Sequence, residues 1–425
     1  MYDEQRKRHF RYFVMNINEQ TRDFIRQHAT EDVRKLALQG AKDPSVDLLM
    51  ALQQIAGRQT AQRKLPSWAA VSGIVYPPHL NMEQCSSELT ARYKADLAGR
   101  GDSIVDLTGG FGIDFYWMSQ GFSERTYVEQ NSELCAIAKE NFRVLGLCCS
   151  VCCCDAATYL TGMPHAAMVF LDPARRDEHG GRTYGIADCT PNVLELLSLL
   201  SDKADRIILK LSPMLDWRKA VSDLHHPSST TVHIVSVDNE CKELLIEMTN
   251  ADEEMRNDLR ETRVVCVNLL SNGGRQEFAF GGQGPNTTGK TSGDGFSPHF
   301  LYEPNASIMK AGCFAELGQR YPVQQVAPNS HLFLSDDEIG DFPGRSFEIL
   351  SISSMNKREI KEKINQKLTA MKSANIAVRN FPLTADQLRK KLKLKDGGDT
   401  YIFATTLADG QHRLFICRTY RGLVA

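Results

Sequence analysis

Four acidic residues stand at intervals that suit a shared ligand. Asp106, Glu129, Asp155 and Asp172 each close a run of β-forming residues: SIVDLT, TYVE, VCCCD and VFLD. About twenty residues separate one from the next, the length of a strand plus a helix. In a parallel sheet such acids meet at the carboxyl edge, where open α/β folds bind their ligands. After Asp106 comes a glycine turn, Thr108-Gly109-Gly110-Phe111-Gly112. Bare main chain there lets a ligand approach closely. One carboxylate can accept from ribose hydroxyls and another from an adenine amine, so the expected ligand carries a nucleoside. A nicotinamide fingerprint, G-x-G-x-x-G, fails at its third glycine, where Phe115 stands.

The fourth acid opens Asp172-Pro173-Ala174-Arg175-Arg176. An aspartate and nearby carbonyls can accept from an amine while its lone pair faces an electrophile, which is catalysis by orientation. Asp172, Pro173 and Arg175 are the catalytic candidates. Arg176 and Lys210, at the end of the fifth strand, are candidate substrate contacts, and arginines suit phosphate. Phe111 and Tyr184 are candidate stacking partners for a base. No cysteine nucleophile accompanies this turn, which favours attack by a nitrogen over attack by carbon. A surface turn with a capping aspartate is the plainer reading. The octapeptide GPNTTGKT at 284–291 matches the phosphate-loop pattern, but Ser292-Gly293-Asp294-Gly295 cannot start the helix that motif needs. Cys148, Cys149, Cys152, Cys153 and Cys154 lack the second pair of a zinc site and read as strand residues. No metal is expected.

Elements must position these groups. Residues 1–82 have helical periodicity, with one helix over 23–38 and another over 45–57. Residues 83–282 alternate strand and helix, beginning with a helix at 83–99 whose Ser86, Ser87, Glu88 and Thr90 either cap it or close over the ligand. Seven strands are expected, the last two without a helix between them, so the seventh should run antiparallel. The segments TRVVCVNLL and GRQEFAF either extend that sheet or bridge onward. Residues 283–327 combine a glycine-rich linker with a small unit whose helix runs from Ala306 to about Leu317. Residues 328–425 alternate again as a basic α+β domain.

Charge is unevenly spread over the 425 residues, whose net charge is −2. Residues 345–395 hold 13 of the 50 Lys/Arg but 4 of the 52 Asp/Glu. Such a segment on an acidic body fits a polyanion partner, with Lys357, Arg358, Arg389, Lys390 and Lys391 as candidate contacts. A solvated helix face is the alternative for KREIKEKINQK. Twelve cysteines are too dilute for a disulfide scaffold. No apolar run approaches the ~20 residues that span a membrane. The first residues lack the apolar stretch of a signal peptide, so a cytoplasmic location is expected.

The strand-end series resembles the class I S-adenosylmethionine-dependent methyltransferases over about residues 83–250. Asp106, Thr108, Gly110 and Gly112 match the family's first motif, which wraps the methionine end of S-adenosylmethionine. Glu129 matches its ribose-binding acid and Asp155 the residue beside the adenine. Asp172 and Pro173 match the motif at the methyl-transfer site. Thr108 stands where many members have glycine, and D-P-A-R replaces N-P-P-Y or D-P-P-Y, which leaves the accepting atom open. LYEPNASIMKAGCF, RNFPLTADQLRKKLKLKDGGDTYIFAT and EQCSSELTA resemble a bacterial subgroup with a C-terminal THUMP-like domain. The resemblance implies a Rossmann-like seven-stranded α/β methyltransferase core, an N-terminal helical region and a C-terminal α+β THUMP-like domain. THUMP domains are RNA-binding modules, so the implied activity is methylation of a base nitrogen in tRNA or rRNA. Action on a protein or small molecule, and RNA binding without catalysis, stay open as rivals.

Overall fold

A computed structural model describes residues 17–175, 185–224, 229–249, 262–281, 298–356, 358–359 and 373–420. The described chain divides into two compact units, one holding residues up to 232 and 243–249, the other 233–242 and those from 262 on.

The first unit is built on parallel strands. These are β1 (Gly101–Asp106), β2 (Phe122–Val128), β3 (Ser150–Cys152), β4 (Ala166–Leu171) and, after the short pair β5 (Ala174–Arg175) and β6 (Cys189–Thr190), β7 (Ala204–Leu211). The chain continues through β8 (Ser229–Val237) into β9 (Glu240–Thr249). Within this unit the order is β9-β7-β4-β1-β2-β3. Four pairings are parallel and β9 runs antiparallel to β7, as its hairpin connection predicts. Ile104, Met168, Val169, Ile208 and Leu209 are fully buried along these strands, as expected where helices cover both faces. Side chains cap the crossover helices: Asn131 before Ser132–Val144, Asp155 before Ala156–Gly162 and Asn192 before Val193–Lys203.

Two expected helices are each broken by a local signal. The span 23–38 is two helices, Glu19–Gln27 and Val33–Gln39, because Asp32 caps the second through the amides of Arg34 and Lys35. The helix expected at 83–99 begins only at Glu88, with Ser87 as its cap. An aromatic cluster joins the helical N-terminal region to the core of this unit. Trp68 packs edge-on against Phe111 at 5.3 Å, and Phe115, Tyr127 and Phe142 form a second set of ring contacts. Burying one such ring contributes about 1.5–3 kcal/mol.

In the second unit Asp238 and Asn239, both at positive φ, turn the chain tightly between β8 and β9. Strands β10 (Arg263–Leu269) and β11 (Arg275–Gly281) pair antiparallel in the order β11-β10-β8, so TRVVCVNLL and GRQEFAF extend a sheet. A separate seven-stranded sheet contains β12 (Phe300–Pro304), β13 (Gln324–Gln325), β14 (Phe333–Ser335), β15 (Gly344–Ser354), β16 (Asn375–Arg379), β17 (Thr400–Thr406) and β18 (His412–Thr419). Its order is β13-β14-β12-β15-β18-β17-β16, with β16 and β17 parallel. Leu301, Phe347, Phe403 and Phe415 build its core. The helix expected from Ala306 to Leu317 is two, Ala306–Ala311 and Phe314–Arg320, because Gly312 takes a left-handed conformation at φ 70° and ends the first. A hairpin across Ala408-Asp409-Gly410 joins β17 to β18.

Candidate active site

The parallel register brings the ends of four strands together. Asp106 stands opposite Tyr127 and Phe170, and Val128 opposite Cys152. Hydrogen bonds tie the ends. Leu107 N–H donates to the Phe170 carbonyl (3.0 Å), Gly109 N–H to Val128 (2.8 Å) and Glu129 N–H to Cys152 (3.1 Å). The predicted acids Asp106, Glu129 and Asp172 therefore share one rim, with Asp155 just beyond β3.

The glycine turn is shaped by what lies beneath it. A Cβ on Gly109 would fall 2.1 Å from the Tyr127 ring. Gly112 sits at φ +88°, and a Cβ there would meet Phe142 at 2.7 Å. Tyr127 in turn donates its hydroxyl proton to the Gly110 carbonyl at 2.5 Å. Aromatic rings thus fill the space where side chains would otherwise stand and leave the main chain bare toward the rim. Phe111 is not available as a stacking platform, because its ring is buried against Trp68. Tyr184 lies outside the described residues.

Each acid has a distinct environment. Asp106 is buried and accepts from Thr108 N–H at 2.9 Å. Burial drives its carboxyl well above the ordinary value, the Thr108 amide opposes this, and Asp114, Asp172 and Glu129 add to the rise. Glu129 spreads its two oxygens, one accepting from Gly110 N–H (2.9 Å) and the other from Asn131 N–H (2.7 Å). Asp155 is exposed and caps its helix through Thr158 N–H at 2.9 Å. Hydrogen bonds from Thr158 hold its carboxyl below the usual value. Near Glu129, the Cys135 thiol donates to the Glu129 carbonyl at 3.0 Å, and burial pushes that thiol's pKa up, so it is not a ready nucleophile.

Thr108 explains its own departure from glycine. Its hydroxyl oxygen accepts from Asp172 N–H at 2.6 Å, which pins the fourth turn to the first. Pro173 is buried behind Asp172. Arg175 lies in β5 and pairs with Cys189 in β6. Arg176 lies outside the described residues.

Lys210 reaches the same rim. Its ammonium sits 2.5 Å from Asp172 Oδ2 and 3.7 Å from Asp114 Oδ2. Burial would lower its pKa, but Asp172, Asp114 and Glu243 outweigh that and hold the ammonium above its ordinary range. It is a fixed cation, not a base. Asp114 also accepts from Ser86 Oγ at 2.7 Å and lies 3.2 Å from Lys94 Nζ. Burial raises Asp114, while Lys94 and Lys210 overcome it and leave its carboxyl lowered. Lys94 pairs with both oxygens of Glu243 at 2.7 Å. Burial leaves Glu243 raised in spite of that cation. Ser86, Lys94, Asp114 and Glu243 were not among the expected site residues. Ser87 supplies the helix cap, and Ser86 joins the charge cluster.

On the second unit, Arg389 binds Asp386 and Asp396, each at 2.6 Å. Lys390 and Lys391 are exposed on the helix Ala385–Leu392, and Arg358 is exposed after β15. Lys357 lies outside the described residues, as does most of KREIKEKINQK. Among the described residues, no group of three or more His, Cys, Asp or Glu could hold a metal ion, and no helix is long and apolar enough to cross a membrane.

A THUMP domain-like family model matches residues 344–419, and a ferredoxin-like domain model matches residues 300–343. A candidate methyltransferase from Porphyromonas gingivalis W83 is 30% identical with a TM-score of 0.78, over 93% of this chain and 96% of that one. A candidate class I S-adenosylmethionine-dependent methyltransferase from Listeria monocytogenes is 10% identical over 56% of this chain and 90% of its own, with a TM-score of 0.34. A candidate RNA methyltransferase from Pyrococcus horikoshii is 15% identical over 45% of this chain and 99% of its own, with a TM-score of 0.31. No curated protein matches this chain.

Proposed function

The chain belongs to the class I S-adenosylmethionine-dependent methyltransferases that carry a C-terminal THUMP-like domain, and from that premise we propose that it methylates a base nitrogen of a structured RNA, tRNA or rRNA. The observation that carries this reading is the convergence of the bare glycine turn, Glu129 and Asp172 on one rim.

The residues present fit the cofactor. Glu129 is held by two main-chain amides and keeps lone pairs for ribose hydroxyls. The turn at Gly110 and Gly112 offers main chain to the methionine end, with Asp106 and Thr108 fixing its base, and Asp155 stands at the adenine end. S-adenosylmethionine supplies an electrophilic methyl group on its sulfonium when bound.

The chain's own residues then orient the acceptor. Asp172 takes a hydrogen bond from the amine to be methylated, which turns the nitrogen lone pair outward. Pro173 stiffens the turn that carries it. Lys210 holds the Asp172 carboxylate in place. Arg175 and Arg176 serve phosphate, and the exposed lysines of the second unit, with Arg358, meet the RNA backbone. The base is presented out of its stack.

The test compares nucleosides in RNA from a deletion strain and its parent by mass spectrometry. One nucleoside heavier by a methyl group should be missing from the deletion strain and return with the gene. Identical profiles would move the acceptor to a protein or small molecule, and a protein that takes up no S-adenosylmethionine by calorimetry would be an RNA-binding module alone.

A further inference from the structure

Five charged side chains run inward from the rim with alternating sign: Asp172, Lys210, Asp114, Lys94 and Glu243. Their exposure falls along the path as far as Lys94. The Asp172 side chain is 37% exposed, Lys210 12% and Lys94 0%. They come from five places in the chain: the β4 exit, β7, the helix after the glycine turn, the helix Glu88–Ala98 and β9. Asp172 and Lys210 stand at the rim.

Stability alone does not account for such a chain. Burying ions costs desolvation, and well-packed apolar side chains in their place are often as stable or more so. What the chain does provide is fixed geometry at its outer end. Lys94 is held on Glu243 by a two-oxygen contact, and it donates to Ser86 Oγ at 3.1 Å. Ser86 passes a hydrogen bond to Asp114 Oδ2. The other oxygen, Oδ1, has no aligned hydrogen bond, so attraction to Lys94 sets its place. Asp114 and Asp172 then hold Lys210 between them. Lys210 occupies Asp172 Oδ2, while Oδ1 takes no hydrogen bond from the described residues.

We infer that Lys94 and Glu243 are positioning residues: acting through Asp114 and Lys210, they set the orientation of the Asp172 carboxylate and leave one oxygen for the acceptor. The inference rests on methyl transfer at Asp172. It also gives the helix Glu88–Ala98 a role in transfer rather than in closing over the cofactor.

The test uses the full-length double variant Lys94→Met/Glu243→Met, which removes the inner pair together. Affinity for S-adenosylhomocysteine by calorimetry, and KM for RNA from a strain lacking the gene, should stay within about threefold, while kcat falls about tenfold or more. The acid limb of the kcat profile should also move to higher pH, because Asp114 without Lys94 takes up a proton more readily. A lowered unfolding temperature with kcat and its acid limb unchanged would overturn the inference. If the double variant does not fold, Ser86→Ala reads the same link without removing a charge. It should lower kcat about threefold at constant KM, and an unchanged kcat counts against the link. If the parent protein methylates no RNA, the proposed substrate fails separately. Crystal structures of parent and variant then decide: a displaced Asp172 carboxylate sustains the inference, and an unmoved Asp172–Lys210 pair ends it.

Discussion

At the rim of the first unit, ion pairs are buried and shared. Lys210 serves Asp172 and Asp114, and Lys94 serves Asp114 and Glu243. On the second unit most are exposed and simple. Arg389 meets Asp386 and Asp396 within its own helix and the turn after it, and Arg418 meets Glu348 across two strands. Glu303 is the exception there, a buried acid between Arg345 and Arg379 that ties β12, β15 and β16 together. The contrast is one of dielectric. A buried charge acts strongly over a short path and is scarcely screened, whereas an exposed charge acts through a field that salt removes. The first arrangement suits fixing one carboxylate; the second suits gathering a polyanion.

The contrast breaks most visibly if the inner cation is removed alone. Lys94→Met strands Glu243 and leaves Asp114 with Lys210 and Ser86 alone, and should cost about 3–5 kcal/mol in urea unfolding, more than the double variant does. Equal losses would mean that Glu243 carries no penalty when Lys94 is gone. Next, Asp172→Ala should lower kcat about 100-fold, close to 2.7 kcal/mol, with cofactor affinity within a few-fold. Loss of cofactor binding instead would make Asp172 part of the cradle. Gly109→Ala drives a methyl group into Tyr127 and should cost about 2 kcal/mol of stability while weakening cofactor binding; calorimetry with S-adenosylhomocysteine reads it.

On the exposed side, Lys390→Ala/Lys391→Ala should weaken RNA binding by about 1 kcal/mol and reduce the salt slope by about 2, uniformly across sequences. An unchanged slope would place RNA elsewhere. The smallest effect concerns pH. Burial raises the folded pKa of Asp106 above 3.8, so the native state keeps a proton that the unfolded chain releases. Its penalty is absent below the unfolded value and grows as pH rises toward the folded one. Asp106→Asn should therefore flatten the decline of stability above about pH 4, and parallel curves for the two proteins would contradict that.

The fold was readable where local signals are strong. The strands end where Asp106, Glu129 and Asp172 stand, and β9 turns antiparallel because too few residues follow β8 for a crossover. Boundaries slipped where one residue decides them. Asp32 splits an apparently continuous helical pattern, and Gly312 splits another. Of the site, the acids and glycines were visible by type and spacing. Thr108 looked like a departure until its hydroxyl was found on the Asp172 amide.

Strand ends, turns and caps depend on neighbours a few residues away, and the linear chain already determined the order of acids along the rim. Lys94 and Glu243 are 149 residues apart, and nothing local marks either as the other's partner. Only closure of the sheet brings them together, and only burial gives their charges the reach to govern a carboxylate at the surface.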